Sequence, residues 1–243
     1  MAKESDPLFM PGPSGTAREY FFKALFTNDQ AKDADAMAHY IRPGSCVIDV
    51  GSNVGYFSRR FADKNPTGLV VAFEPQSVPR AIATVVSFFR RRRNIVVLPF
   101  ALGAAPGLLD LKIPIKAKGR IGISLAHVGG NDDLNTRFDV VRELVPCETL
   151  DTILARLPTP EISLIKIDVE GGELQVLKGA VETLRRHRPV VVCETGNMTV
   201  RFGDTIAGIR TFMADLDYKP WDLVKQIPLG PDDASLDTAF VPA

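Results

Sequence analysis

Cys46-Val47-Ile48-Asp49-Val50-Gly51-Ser52-Asn53-Val54-Gly55-Tyr56 is the stretch on which the fold turns. Its β-branched run, Val47, Ile48 and Val50, carries one acid near its end, Asp49, and breaks at Gly51. Gly55 follows, and then Val54, Phe57, Phe61 and Ala62 mark one side of a helical repeat. The reading is strand, tight glycine turn, helix. In an α/β protein such a turn lies at the carboxyl end of a strand, where nucleotide-like ligands bind. The glycines let the backbone close on a ligand, and the helix N-terminus offers unpaired N–H groups. The spacing is G-x-x-x-G rather than G-x-G-x-x-G, which turns the reading away from a dinucleotide pyrophosphate site.

Working outward, Gly68–Phe73 reads as a second strand that ends at Glu74-Pro75. Glu74 lies 23 residues beyond Gly51 (74 minus 51), close to the separation at which an acid meets a ribose diol in such folds. A carboxylate accepts two hydrogen bonds from a vicinal diol. Pro79–Arg93 is expected as a helix with Ile82, Val85, Val86 and Phe89 on its inner face. Its end, Arg90–Arg93, fits a solvated cap favoured by the helix dipole, with an acidic-substrate patch as the alternative. Asn94–Phe100 is the third strand. Strands alternating with helices imply right-handed crossovers and a parallel sheet.

That rhythm stops for about 45 residues. Leu108–Ile115, Ile121–His127 and Val140–Pro146 read as short strands, so an inserted hairpin or β-lobe is expected over about 104–146. Insertions at a ligand-facing edge commonly carry specificity. His127, inside it, fits a surface residue better than a base. Upstream, Tyr20–Phe26 and Gln30–Ile41 read as two helices within an N-terminal lead-in, 1–42, with 43–243 as the main domain. They could cover a cleft, but core packing of Tyr20, Phe21 and Phe22 is the preferred reading.

The second informative stretch is Ser163–Ala180, S-L-I-K-I-D-V-E-G-G-E-L-Q-V-L-K-G-A. Leu164, Ile165 and Ile167 make a buried strand, followed by the Gly171-Gly172 turn and a helix with Leu174, Leu177, Val181 and Leu184 inward. Lys166 and Asp168 sit on one face at i, i+2. Charges inside a central strand are costly unless paired, so mutual satisfaction is one reading and a cleft-mouth acid the other. Pro189–Glu194 brings Glu194 to the same edge, and Leu150–Leu157 and Ile206–Leu216 are further helices. Tyr218–Leu223 and Asp237–Val241 are a closing antiparallel pair.

Composition sets the outer limits. Basic and acidic residues balance at 29 each, so no global field favours nucleic acid or an anionic membrane. The three cysteines show no C-x-x-C pair, and Cys46 and Cys193 lie in apolar runs suited to buried thiols. No apolar stretch reaches the length of a membrane span and no signal-peptide pattern opens the chain, so a cytoplasmic protein is expected.

Taken together, V-I-D-V-G-S-N-V-G-Y-F-S (Val47–Ser58), V-V-A-F-E-P (Val70–Pro75), C-E-T-L-D (Cys147–Asp151), I-K-I-D-V-E-G-G-E-L-Q-V-L-K-G-A (Ile165–Ala180) and R-P-V-V-V-C-E (Arg188–Glu194) resemble the FkbM-type family of S-adenosylmethionine-dependent methyltransferases. The Ile165–Ala180 block is the most specific; Gly172 stands where the family often has Ala. The resemblance implies a seven-stranded, mostly parallel, Rossmann-like sheet flanked by helices, with one antiparallel edge strand. It implies S-adenosyl-L-methionine as methyl donor and a hydroxyl acceptor on a small molecule, sugar or glycan, polyketide or lipid-like molecule.

On that basis Asp49, Gly51, Asn53 and Gly55 are expected at the cofactor, with Glu74 on the ribose and Ala101 by the adenine. Asp168 is the first candidate for a general base and Glu170 the second. Rivals are an N-methyltransferase, a nicotinamide-dependent oxidoreductase, disfavoured by the glycine spacing, and a non-catalytic binding module. Asp168, Glu170 and Glu194 could in principle hold Mg²⁺, but metal-independent transfer is preferred because Lys166 already neutralises part of the acid group. Self-association into a homodimer is left open.

Overall fold

A computed structural model describes residues 15–26, 30–116, 120–121, 127–128, 140–195, 205–230, 233, 235 and 237–243. Two helices lead in, α1 (Gly15–Phe26) and α2 (Ala31–Ala38). The main layer then alternates β1 (Cys46–Val50), α3 (Tyr56–Lys64), β2 (Leu69–Phe73), α4 (Ser77–Phe89) and β3 (Ile95–Leu98). A lobe follows, made of β4 (Ala101–Leu102), β5 (Gly107–Lys116), β6 (Arg120–Ile121), β7 (His127–Val128) and β8 (Val140–Glu148). The main layer resumes with α5 (Leu150–Leu154), β9 (Ile162–Ile167), α6 (Glu173–Lys178), α7 (Val181–His187), β10 (Val190–Glu194), α8 (Ile206–Ala214), β11 (Tyr218–Asp222) and β12 (Asp237–Pro242).

The seven-stranded sheet has the order β11-β12-β10-β9-β1-β2-β3. Every pair from β10 to β3 is parallel, and β12 runs antiparallel to both neighbours. The antiparallel strand is therefore not at the edge, as the resemblance implied. It is wedged between β10 and β11, because Ala239 and Phe240 have no exposed surface and need cover on both sides. The order reverses at β1, so the cleft opens where β1 and β9 diverge.

Period-two alternation sorts the strands into two cores. Cys46, Ile48, Val50, Ile165, Ile167, Val191, Cys193 and Phe240 fill one side. Val47, Leu164, Val192 and Ala239 fill the other, beneath α2 and α3. Each Val, Leu, Ile or Phe among them, fully buried, is worth about 1.5–3 kcal/mol. Asp49, Lys166, Asp168, Glu194 and Asp237 share the parity of the second set, so one face of the sheet gathers all five.

Three expected elements differ. The inner face of α4 is Ile82, Ala83 and Val86, while Val85 and Phe89 are exposed. The helix after Ile167 breaks into α6 and α7 at Gly179, where a Cβ would meet the Gly103 carbonyl oxygen at 2.0 Å. Tyr20 and Phe21 pack against Ile82 and Val86 as expected, but Phe22 is 48% exposed. In the lobe, β5 and β8 form a long antiparallel pair with Leu111, Ile113, Val145 and Cys147 inward. His127 lies in β7, opposite Lys112; Gly129–Asp133 and the strand expected between Ile121 and His127 fall outside the described residues. Among the described residues no helix is long and apolar enough to cross a membrane. All three cysteines are free and buried.

Candidate active site

The turn after β1 is built from backbone strain held in place by its neighbours. Gly51 (φ +75°) and Gly55 (φ +76°) are left-handed, and Asn53 adopts φ +49° between them. The N–H groups of Gly51 and Ser52 both donate to the Phe73 carbonyl at 3.0 Å. A Cβ on Gly51 would lie 1.8 Å from the Asp168 carbonyl oxygen, so the two halves of the cleft touch here and only glycine fits. Arg59, buried in α3, braces the turn from below by donating to the carbonyls of Val54 (2.6 Å) and Ala24 (3.0 Å). Burial lowers its pKa to about 10.

Glu74 stands across from that turn, 3% exposed. Asn53 N–H donates to its Oε2 and Gln76 N–H to its Oε1, each at 2.8 Å. Burial nevertheless dominates and lifts its pKa to about 7. Each oxygen keeps a lone pair for a further donor. From the lobe, Glu143 Oε1 accepts the N–H of Ser77 at 2.9 Å, capping α4 beside Glu74. Ala101 lies in β4, paired with Cys147 of β8, three residues beyond the end of β3.

The other wall is ionic. Asp49 has no exposed surface; it accepts from Ser58 Oγ and lies 3.6 Å from Lys166 Nζ. It sits beneath the turn rather than in the cleft, as the register that pairs Asp49 with Lys166 dictates. Lys166 Nζ also donates to Asp168 Oδ2 at 3.1 Å and lies 4.6 Å from the centre of the Phe57 ring. The two acids hold its pKa up against burial. Burial opposes ionisation of Asp168, but Lys166 and a hydrogen bond with Glu194 prevail and lower its pKa.

Cys193 pairs with Ile167, and Glu194 pairs with Asp237. One step along, Asp168, Glu194 and Asp237 therefore form a row across β9, β10 and β12. Burial and the flanking Asp168 raise the pKa of Glu194 to about 8, and burial with Asp33 raises that of Asp237 to about 6. A cavity of about 100 Å³ opens over this row, lined also by Gln30, Asp33 and Met37 of the N-terminal helical segment.

Glu170, the second candidate base, is half-buried at φ +58° in the loop that follows. Glu173 Oε1 holds that loop by accepting the Gly171 N–H at 3.1 Å. Asp33, Phe57, Glu173 and Asp237 were absent from the candidates read off the sequence. The carboxylate two residues past Gly171 was the available signal for Glu173; Asp237 becomes legible only once the strand order is known. Among the described residues, no three His, Cys, Asp or Glu side chains gather as a metal site.

Comparison with known proteins gives the same picture. The family model for the methyltransferase FkbM domain matches residues 49–220. Similar curated proteins include the methyltransferase sdnD of Sordaria araneosa, 26% identical over 264 residues, covering 97% of this chain and 95% of the relative. The 31-O-demethyl-FK506 methyltransferase FkbM of Streptomyces tacrolimicus is 27% identical over 220 residues, covering 79% and 80%. Among solved structures, a methyltransferase FkbM from Methylobacillus flagellatus KT superposes with a TM-score of 0.52 at 15% identity, over 94% of this chain. The chain spans 58% of that protein's length. The chain belongs to the FkbM methyltransferase family.

Proposed function

We propose that this FkbM-family methyltransferase transfers a methyl group from S-adenosylmethionine to a hydroxyl of a small-molecule, sugar or polyketide-like acceptor. The observation that carries the reading is the Lys166–Asp168–Glu194 cluster at the end of β9, one strand from the glycine turn. The donor set suits the cofactor: Glu74 retains acceptor capacity for a diol, and the acid-rich wall favours a cation. Adenosylmethionine, when bound, supplies a methyl carbon made electrophilic by its sulfonium. Gly51, Asn53 and Gly55 shape the turn that holds it, Glu74 accepts from its ribose, and Ala101 lines its adenine. Asp49 acts from below, fixing Ser58 and Lys166.

Aligned attack at near-contact distance supplies most of the acceleration. An alcohol needs a base only as its attack develops. Asp168, kept ionised by Lys166, takes that proton, with Glu170 as the second candidate. The Streptomyces relative is named for a 31-O-demethyl substrate, which supports an oxygen acceptor. The roof over the acid row, including Asp33 and Met37 of α2, supports a covering role for that helix.

Calorimetry with adenosylhomocysteine and NAD, followed by labelled-methyl transfer to hydroxyl, amine and carboxyl panels, tests the reading. Binding of adenosylhomocysteine and label on hydroxyls is expected. Tight NAD binding alone would overturn the cofactor, label on amines alone would overturn the acceptor, and dependence of transfer on added Mg²⁺ would overturn metal-independent chemistry.

A further inference from the structure

α4 carries apolar residues on two faces, and only one of them has a use within the fold. Ile82, Ala83 and Val86 are buried, whereas Val85, Phe88 and Phe89 are 41, 77 and 71% exposed. Residues 85, 88 and 89 share one stripe of the helix. The two phenylalanine rings stand edge to face with centroids 5.9 Å apart, largely exposed to solvent. Contiguous exposed apolar surface of this kind marks a contact site.

The helix ends there, and Arg91 turns left-handed (φ +56°), so Arg90–Arg93 leave the same point. Arg92 is matched by Asp63 at 2.7 Å, and Arg90 donates to the neutral carbonyl of Leu25. Among the described residues, no ion pair engages Arg90, Arg91 or Arg93. Beside them opens a groove of about 550 Å³, lined by Pro66, Thr67, Gly68, Arg91, Arg93 and Asn94 together with the mutually paired Asp63 and Arg92. Because α4 starts beside Glu74 and runs back along the sheet, this end lies at the amino edges of β2 and β3, away from the cleft.

We propose that this end of the molecule docks on an anionic lipid surface. Phe88 and Phe89 enter the boundary between headgroups and acyl chains while Arg90, Arg91 and Arg93 meet lipid phosphates, the groove admitting a headgroup. Aromatic side chains beside cations are suited to that boundary, and each arginine near an anionic leaflet adds attraction. The whole chain is neutral, so the attraction is local and fixes orientation, with the cleft facing water. A second copy fits poorly, since a two-fold contact would bring one cluster of arginines against its twin.

The test is co-sedimentation of the full chain with vesicles of phosphatidylcholine alone or mixed with phosphatidylserine, at low and high salt. Binding only to the mixed vesicles, lost at high salt, is expected. The double variants Phe88→Ser/Phe89→Ser and Arg91→Glu/Arg93→Glu should each lower partitioning by about tenfold or more, with melting temperature unchanged because these side chains are exposed. Should a variant fail to fold, the lipid and salt dependence of the unaltered chain still decides. Absence of binding, or equal binding to neutral vesicles, would overturn the proposal. So would a dimer dissolved by Phe88→Ser/Phe89→Ser, or oligonucleotide binding abolished by these variants without vesicle binding.

Discussion

Two acids stand at strand ends on either side of β1, and the protein holds them in opposite ways. Glu74, at the end of β2, is fixed by two backbone N–H groups, and among the described residues no ion pair engages its oxygens, the nearby Arg80 donating instead to the carbonyls of Glu74 and Pro75. Asp168, just past β9, is held by Lys166 and Glu194, both of which titrate. Backbone donors fix a position and cannot change charge. Side-chain partners make a group whose proton affinity responds to its neighbours. The first arrangement suits binding and the second suits proton transfer. The two walls meet at Gly51, which packs directly on the Asp168 carbonyl.

That junction is where the comparison is broken most completely. Gly51→Ala would push a Cβ into backbone at 1.8 Å and impose a left-handed conformation on a residue that resists it. A loss of about 2–5 kcal/mol in unfolding free energy is expected, with cofactor binding gone. Chemical denaturation and calorimetry check both, and an alanine variant that is stable and binds would show that the walls are independent.

Asp168→Asn addresses the ionic wall alone. Turnover should fall about 10²-fold with cofactor affinity and melting temperature kept, since Lys166 retains Asp49. If the variant turns over normally and Glu170→Gln does not, the base is Glu170. If both remain active, positioning alone suffices.

Glu74→Gln addresses the backbone wall. The new amide would turn an NH₂ toward one of two backbone donors and lose the charge-assisted contact proposed to the ribose. Cofactor affinity should weaken by about 2–3 kcal/mol, with the turnover at saturation largely preserved. A drop in turnover without weaker binding would reverse the roles assigned to the two walls.

The two walls were not equally legible in the sequence. That Glu74 would face the glycine turn was legible from its distance along the chain, because the intervening crossover has a standard length. Asp168 and Lys166 were legible as charges that a buried strand must pair. Their connection to Asp49, Glu194 and Asp237 was not, because it depends on which strands lie side by side and on the wedging of β12 between β10 and β11. The face of α4 was misjudged for a related reason. Helical periodicity shows which residues align, and not that Phe89 and Val85 lie just beyond the reach of the sheet and α1.

The effect that is smallest at any one step, and the sharpest separation of the walls, lies in the pH dependence of stability. Burial raises Glu74 from its ordinary value of 4.5 to about 7. Between those values the folded chain binds a proton that the unfolded chain has released. The corresponding stability is complete below about pH 4.5 and is lost as the pH rises through about 7. The slope from this one group should approach about 1 kcal/mol per pH unit across that window. Glu194, raised to about 8 by burial and by Asp168, acts in the same direction but extends to higher pH. Being more exposed, it should contribute a shallower slope. Denaturation midpoints measured from pH 5 to 9 should therefore fall less steeply up to about pH 7 in Glu74→Gln and keep the decline between about pH 7 and 8, whereas Glu194→Gln should lose that last decline and soften the slope below it. Identical profiles for the two variants would mean that the acids titrate as one coupled set across β1, and the division between a fixed wall and a titrating wall would fail.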